Sequence, residues 1–204
     1  MSSAEPSPAR SLLAGSRWFF IACALLGVMV CAGAACVSRP WRAGAPAASL
    51  IGGPFKLAAT DGRTLTDADM RGEPFLVFFG YTHCPDVCPA TLSEISDVLA
   101  KIPGKPVRAL FITVDPERDT QAIMKDYVSN FDPRIIGLTG DRSAIDQVER
   151  TYRVYARKAP LQDGDYTMDH SAIVYLMDSQ GRFVEAFNLD RKPEDSAKEL
   201  AGYL

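Results

Sequence analysis

The sequence lacks any concentration of basic charge. Its 22 lysine and arginine residues are outnumbered by 25 aspartate and glutamate residues, which gives a formal net charge of -3. Proteins that bind nucleic acid through its phosphates carry a basic patch or stripe. The composition therefore argues against nucleic acid as a partner. The sequence also lacks internal repeats and low-complexity tracts, so repeat architectures are not expected.

Cysteine is scarce, with five residues, and histidine scarcer, with two. Three of the cysteines, Cys23, Cys31 and Cys36, lie in one apolar stretch near the N terminus, so only Cys84 and Cys88 belong to the rest of the chain. Small domains that depend on disulfides usually carry several pairs. A single close pair in a domain of about 150 residues therefore predicts a chemical role rather than a disulfide scaffold.

Charged residues are absent from positions 18–37. A helix of this length reaches about 30 Å, which matches the hydrocarbon core of a bilayer. Because two arginines precede the segment and two follow it, the distribution of positive charge does not decide the orientation. We expect a short cytoplasmic N-terminus at 1–17, a transmembrane helix at 18–37 and a flexible linker at 38–49; signal cleavage and lipidation at Cys36 are the alternatives.

Residues 50–204 show strand and helix patterns in a defined order. The apolar run 75–79 predicts a buried strand, and apolar residues at spacings of three and four predict a helix that begins at Pro89. Further predicted elements are a short opening hairpin near residue 62, a strand at 107–114, a helix capped by Asp119, a strand at 135–136, a helix at 143–152, a hairpin of 172–177 with 182–187, and a helix at 193–204. This order predicts an α/β protein of thioredoxin-like fold, with a central mixed sheet flanked by helices.

The segment GYTHCPDVCP, residues 80–89, places Cys84 and Cys88 where the first core strand meets its helix. The positive end of a helix dipole favours thiolates, so both sulfurs are expected to be reactive. Redox motifs of the thioredoxin type carry two residues between their cysteines, whereas this segment carries three. The wider spacing favours a metal site, although the same pair could also close into a disulfide.

Either histidine could complete a metal site. Thiolates suit Cu(I), and an imidazole ligand extends such a site to Cu(II). His83 is adjacent to Cys84, so its side chain should point away from that of the cysteine; we expect it at the surface. His170 precedes a predicted core strand, in a loop that faces the cysteines in a thioredoxin-like fold. We therefore predict Cys84, Cys88 and His170 as the metal ligands.

Four acidic residues near these positions are expected to support the site rather than bind metal. Asp86 is expected to fix the loop between the cysteines, with a charge contact to the partner or weak Cu(II) binding as the alternatives, and Asp115 and Asp119 are expected to cap and brace a turn. Asp169 is a candidate to orient the neighbouring His170.

Three segments together resemble the motifs of the Sco/SenC family: GYTHCPDVCP at 80–89, FITVDPERDT at 111–120 and DHSAIVYL at 169–176. They occur in the same order and follow an apolar N-terminal segment. The resemblance implies that Cys84, Cys88 and His170 bind copper, for which the donor types suit both Cu(I) and Cu(II), and that the protein is a copper metallochaperone, with thiol-disulfide oxidoreductase activity as a further possibility. It also implies a role in assembling the binuclear copper centre of cytochrome c oxidase subunit II.

The resemblance further implies where the protein acts. Family members act on the periplasmic or intermembrane-space side, and the short segment before residue 18 favours a bacterial inner membrane with the C-terminal domain in the periplasm. Subunit II is the expected partner, together with another periplasmic copper chaperone or a thiol-disulfide oxidoreductase. An alternative function is that of a membrane-anchored thiol-disulfide reductase that keeps the cysteines of its target reduced.

Overall fold

The part of the chain that the structure describes, residues 50–162 and 164–204 of a computed structural model, contains nine β-strands and four α-helices. The predicted N-terminus, transmembrane helix and linker, residues 1–49, lie outside it. The strands are β1 (Lys56–Ala59), β2 (Thr64–Thr66), β3 (Phe75–Gly80), β4 (Arg108–Thr113), β5 (Ile135–Thr139), β6 (Ala156–Pro160), β7 (Tyr166–His170), β8 (Val174–Met177) and β9 (Phe183–Ala186). The helices are α1 (Val87–Ala100), α2 (Gln121–Val128), α3 (Arg142–Tyr152) and α4 (Pro193–Ala201), and a 3₁₀ turn covers Asp67–Met70.

Seven of the strands form one mixed sheet in the order β2-β1-β5-β4-β3-β8-β9. The central pairs β3–β4 and β4–β5 are parallel, whereas β8 runs antiparallel to β3 and β1 antiparallel to β5. The parallel strands are joined by helices, as parallel connections require. The predicted thioredoxin-like arrangement of a mixed sheet flanked by helices is confirmed. Strands β6 and β7 pair only with each other among the described strands.

Strand β3 is continuously apolar because both faces of the sheet are covered. Its six residues are all buried. Phe78 packs on Phe111 with ring centroids 5.9 Å apart, and Phe111 stacks on Tyr127 of α2. Its neighbour Phe79 points to the opposite face and packs on Tyr152 of α3, with centroids 5.4 Å apart. A strand with helices on both faces has no solvent side on which polar residues would be favoured.

Two predicted helix starts are wrong. Helix α1 begins at Val87 rather than Pro89, so Cys88 lies in its first turn. The cap of α2 is Thr120, whose hydroxyl oxygen accepts a hydrogen bond from the backbone N–H of Ile123 at 3.3 Å. Asp119 was predicted to fill that position, but its carboxylate is directed towards the loop that precedes α1.

The β6–β7 hairpin has no counterpart among the predicted elements. Strand β6 (ARKAP) is largely exposed and has no large apolar side chain, so it has no strand-like hydrophobic pattern. Its presence changes the setting of His170, which pairs with Ala156 as the last residue of β7 instead of lying in a loop before β8.

In residues 50–162 and 164–204, none of the helices has the length and apolar content that crossing a membrane requires.

Candidate metal centre

Three donor atoms converge beside the C-terminal end of β3. The two sulfurs of Cys84 and Cys88 and a ring nitrogen of His170 all lie within 4.8 Å of one another. In the described part of the chain, this is the one group of three or more cysteine, histidine, aspartate or glutamate side chains with that geometry. The structure therefore brings together the three residues that were predicted as ligands.

The two cysteines are positioned by the end of β3 and the start of α1. Cys84 lies in the cysteine loop, residues 81–86, where its backbone N–H donates to the carbonyl of Tyr81 at 3.3 Å. Cys88 follows in the first helical turn, and its backbone N–H donates to the sulfur of Cys84 at 3.4 Å. Both cysteines are free thiols. The start of α1 thus orients the Cys84 sulfur through a backbone N–H, and its first turn carries the Cys88 sulfur.

The two sulfurs differ in exposure. Cys84 is partly exposed, whereas Cys88 is completely buried. Burial raises the pKa of the Cys88 thiol well above its usual range, because a thiolate is poorly solvated there. Burial therefore opposes, at Cys88, the thiolate form that the helix start was predicted to favour.

The imidazole of His170 is oriented by a backbone carbonyl. Its Nδ1 lies 3.1 Å from the carbonyl oxygen of Ser171, which can only accept, so Nδ1 carries the proton. The other nitrogen, Nε2, then presents its lone pair 3.7 Å from the Cys88 sulfur. The ring also packs edge-on against Tyr81, with centroids 5.7 Å apart. Asp169, the candidate for orienting this ring, is exposed, and the carbonyl of Ser171 takes that role.

Two sulfurs and one imidazole nitrogen in this arrangement could hold a thiophilic ion. With metal–sulfur bonds of about 2.3 Å, two sulfurs on one ion stand at most about 4.6 Å apart, which is compatible with three donor atoms that lie within 4.8 Å of one another. Soft sulfur ligands suit Cu(I), and imidazole suits Cu(II). Three protein ligands leave a coordination position open, as exchange with another molecule requires.

A family model described as SCO1/SenC matches residues 43–204. The chain belongs to the SCO1/SenC family. Copper-bound ScoI of Bradyrhizobium japonicum is 57% identical and has a TM-score of 0.74, over 76% of this chain and 99% of that one. Copper-bound ScoI of Arabidopsis thaliana is 41% identical with a TM-score of 0.69, over 75% of this chain and 99% of that one.

Curated relatives include the human mitochondrial SCO1 homolog, which is 41% identical over 160 residues. That match covers 76% of this chain and 53% of the human protein. The SCO2 homolog of Bos taurus is 46% identical over 74% of this chain and 59% of its own length. The chain thus spans between about half and three fifths of the length of these SCO1/SenC relatives.

Two other predicted residues near the SCO1/SenC site, His83 and Asp86, lie outside the donor group. His83 and Asp86 are exposed. His83 is hydrogen-bonded to Thr82 at 3.1 Å and lies outside the donor group, as predicted. The side chain of Asp86 makes no capping hydrogen bond at the start of α1, so it does not fix the loop in the way that was predicted.

Asp119 fixes the cysteine loop in its place. Its buried carboxylate accepts hydrogen bonds from the backbone N–H of Thr82 at 3.1 Å and from the hydroxyls of Thr82 and Thr113, both at 2.6 Å. Asp119 was predicted to cap and brace a turn, and its contact with the loop 37 positions away was not predicted. The signal that could have found it is its place in the 111–120 segment, one of the three that resemble family motifs.

Proposed function

We propose that this SCO1/SenC protein is a copper metallochaperone that binds Cu(I) and Cu(II) through Cys84, Cys88 and His170. Its proposed task is to help assemble the binuclear copper centre of cytochrome c oxidase subunit II. The observation that carries the proposal is the convergence of two sulfurs and one imidazole nitrogen within 4.8 Å. The two copper-bound relatives at 57% and 41% identity support copper as the cargo.

The unequal exposure of the donors suggests how copper would be passed on. Cys84 and His170 are partly exposed, whereas Cys88 is buried. An incoming ligand of the receiving protein can therefore approach the ion from the side of Cys84 and His170. Copper then leaves by ligand exchange, in which each new bond to the partner replaces one bond to this chain, and Cys88 is the last ligand released.

We also propose that residues 18–37 anchor the protein in a bacterial inner membrane, with residues 50–204 in the periplasm. The charge-free apolar segment supports the anchor. The side of the membrane and the partners, subunit II together with a periplasmic copper donor or thiol-disulfide oxidoreductase, are proposed from the family resemblance.

The imidazole ligand is tested by replacing His170 with alanine. We expect the affinity for Cu(II) to fall by about a hundredfold, the upper end of the range for changes to the outer partners of a metal, because a ligand itself is lost, while the disulfide potential of Cys84 and Cys88 changes little. The measurement is a spectroscopic Cu(II) titration of the full chain. His83→Ala is the matched control, because His83 lies outside the donor group. An unchanged Cu(II) affinity in His170→Ala would remove His170 from the ligand set.

A second candidate function is thiol-disulfide reduction of the target. The observation in its favour is that both cysteines are free, close together and unequally exposed. In this reaction the Cys84 thiolate attacks one sulfur of a target disulfide and releases the other as a thiol. Cys88 then attacks Cys84, releases the second target thiol and closes the Cys84–Cys88 disulfide, so two electrons pass to the target.

This second function predicts a trapped intermediate. In Cys88→Ser, the mixed disulfide at Cys84 cannot be resolved, so it should accumulate when the variant is mixed with the oxidised soluble domain of subunit II. Non-reducing electrophoresis and mass spectrometry would detect it. With Cys23, Cys31 and Cys36 changed to serine in every sample, Cys84→Ser is the control and should trap far less, because its remaining thiol, Cys88, is buried. If Cys84→Ser trapped as much of the target as Cys88→Ser, Cys84 would not be the specific attacking thiol. If the unmodified chain failed to reduce the target, the reaction would be excluded.

A further inference from the structure

The segment 115–120, between β4 and α2, contacts both parts of the chain that supply the donor atoms. One part is the cysteine loop, and the other is the β6–β7 hairpin that ends at His170. The segment is itself a closed turn, in which the backbone N–H groups of Arg118 and Asp119 donate to the carbonyl of Asp115 at 3.2 and 2.9 Å. We call it the 115–120 turn.

Asp119 connects this turn to the cysteine loop. Its carboxylate, which is fully buried, receives two hydrogen bonds from Thr82, two residues before Cys84, and one from Thr113 at the end of β4. The backbone carbonyl of Asp119 accepts a further hydrogen bond from the hydroxyl of Thr139 at 2.8 Å. Through its carboxylate and its backbone carbonyl together, Asp119 therefore ties the cysteine loop to the ends of β4 and β5.

Arg118 connects the same turn to the hairpin. Its guanidinium stacks on the ring of Tyr166, 3.8 Å from the centroid, and donates to the backbone carbonyl of Tyr166 at 3.0 Å. The guanidinium of Arg118 also forms an ion pair with Asp115, which is itself buried. The other oxygen of Asp115 accepts a hydrogen bond from the Tyr166 hydroxyl at 2.9 Å. Tyr166 opens β7, the strand that His170 closes.

The hairpin depends on such side-chain contacts because β6 and β7 make no ladder with the seven-stranded sheet. Of the five residues of β7, Met168 alone is buried. The hydroxyl groups of Tyr81 and Thr167 are hydrogen-bonded at 2.7 Å, and Ser171 exchanges hydrogen bonds with the backbone of Tyr155. None of these contacts involves Tyr166, so this end of β7 is held by the 115–120 turn.

We propose that the 115–120 turn is the positioning element that sets the distance between the two thiols and the His170 imidazole. Asp119 holds the cysteine loop, and Arg118 with Asp115 holds the strand that ends at His170. Because both arms are fixed to one rigid turn, the three donors keep one spacing without a bound ion. This inference rests on the proposed copper function for its role, but the geometry it describes also exists in the metal-free protein.

The hairpin arm is tested with Arg118→Ala. We expect the affinity for Cu(II) to fall about tenfold, within the range for residues that orient a ligand, and the affinity for Cu(I), which relies mainly on the thiolates, to fall less. The loss should vanish in a His170→Ala background, because Arg118 acts through His170. Arg157→Ala is the matched control, since Arg157 is an exposed arginine of the same hairpin. Tyr166→Leu, which keeps the ion pair of Arg118 with Asp115, is the second variant in case Arg118→Ala folds poorly.

A metal-free measurement separates this inference from the proposed function. In the reduced full chain without copper, amide hydrogen exchange in β7 should become about tenfold faster or more in Arg118→Ala and Tyr166→Leu, while exchange in β3 stays unchanged. If β7 exchanges faster but no variant or unmodified chain binds copper, the proposed function fails and the positioning role stands. If exchange in β7 is unchanged, or if Arg118→Ala costs the same Cu(II) affinity with and without His170, the positioning role is wrong.

The cysteine-loop arm is tested with Asp119→Asn and Asp119→Ala. Alanine removes all three hydrogen bonds to the carboxylate, whereas asparagine keeps an acceptor for Thr82. Cu(I) affinity should therefore fall in Asp119→Ala and recover in part in Asp119→Asn. Asp126→Ala, at an exposed position of α2, should have no effect. Equal Cu(I) affinities in the unmodified chain and Asp119→Ala would show that the carboxylate does not position the cysteines.

Discussion

Replacing Cys88 with serine is expected to lower the affinity for Cu(I) by more than about a hundredfold, beyond the tenfold to hundredfold loss that changes to outer partners of a metal cause. Serine has nearly the shape of cysteine, so the buried position should stay filled. Its hydroxyl is a hard, neutral donor that Cu(I) binds poorly. The effect should therefore come from lost coordination rather than lost packing.

The experiment needs a chain in which other thiols cannot compete. Cys23, Cys31 and Cys36 are changed to serine in every sample, so that only Cys84 and Cys88 remain. Cu(I) affinity is then measured by competition with a chelator, and urea unfolding checks that the variants fold. Retained Cu(I) affinity in Cys88→Ser, in a folded chain, would mean that Cys88 is not a ligand and would defeat the proposed site.

The pH dependence of Cu(I) binding gives an independent check on the same residue. Burial raises the pKa of Cys88, so the thiol is protonated at neutral pH and the ion must displace that proton. The apparent affinity should consequently increase with pH, by about tenfold per pH unit for each displaced proton. Cys88→Ser should reduce this slope, because one of the displaced protons is gone.

The parts of the fold that could be predicted from sequence are those whose residues carry a strong local pattern. The uninterrupted run 75–79 predicted the central strand, because a strand buried on both faces has no polar side. The β6–β7 hairpin could not be predicted, because its strands are held by side chains from elsewhere, such as Arg118 against Tyr166, and not by an apolar face of their own.

The same distinction applies to the site. The spacing of Cys84 and Cys88 and the order of the predicted elements were enough to select His170 over His83. The burial of Cys88 was not predictable, since its sulfur lies against Gly80 at the end of β3 and no local pattern indicates that contact. The contact of Asp119 with Thr82 was also out of reach, because it joins segments 37 positions apart that no local pattern relates.

Gly80 leaves the space that the buried sulfur occupies, which makes Gly80→Ala the second change with a large expected effect. A Cβ atom at this position would lie 2.7 Å from the Cys88 sulfur and 2.7 Å from Cε2 of Phe111. Real Cβ atoms do not approach so closely, and the residue is buried at the end of β3, where the backbone has little freedom. Because both contacts are too close, either the sulfur and the ring must both move, or the end of β3 must shift away from one of them. Overpacking of this kind costs about 1–3 kcal/mol of unfolding free energy.

The effect of Gly80→Ala on copper follows from which neighbour moves. If the sulfur is displaced, Cu(I) affinity falls together with stability, whereas movement of the Phe111 ring alone affects stability only. A thermodynamic cycle distinguishes the two cases, with unfolding in urea as the measurement. In a Cys88→Ala background the contact with sulfur is gone, so Gly80→Ala should cost less there than in the unmodified chain. An equal cost in both backgrounds would assign the conflict to Phe111. Because the Cβ atom would lie 2.7 Å from the sulfur as well as from the ring, we expect the sulfur to be displaced and copper affinity to fall with stability.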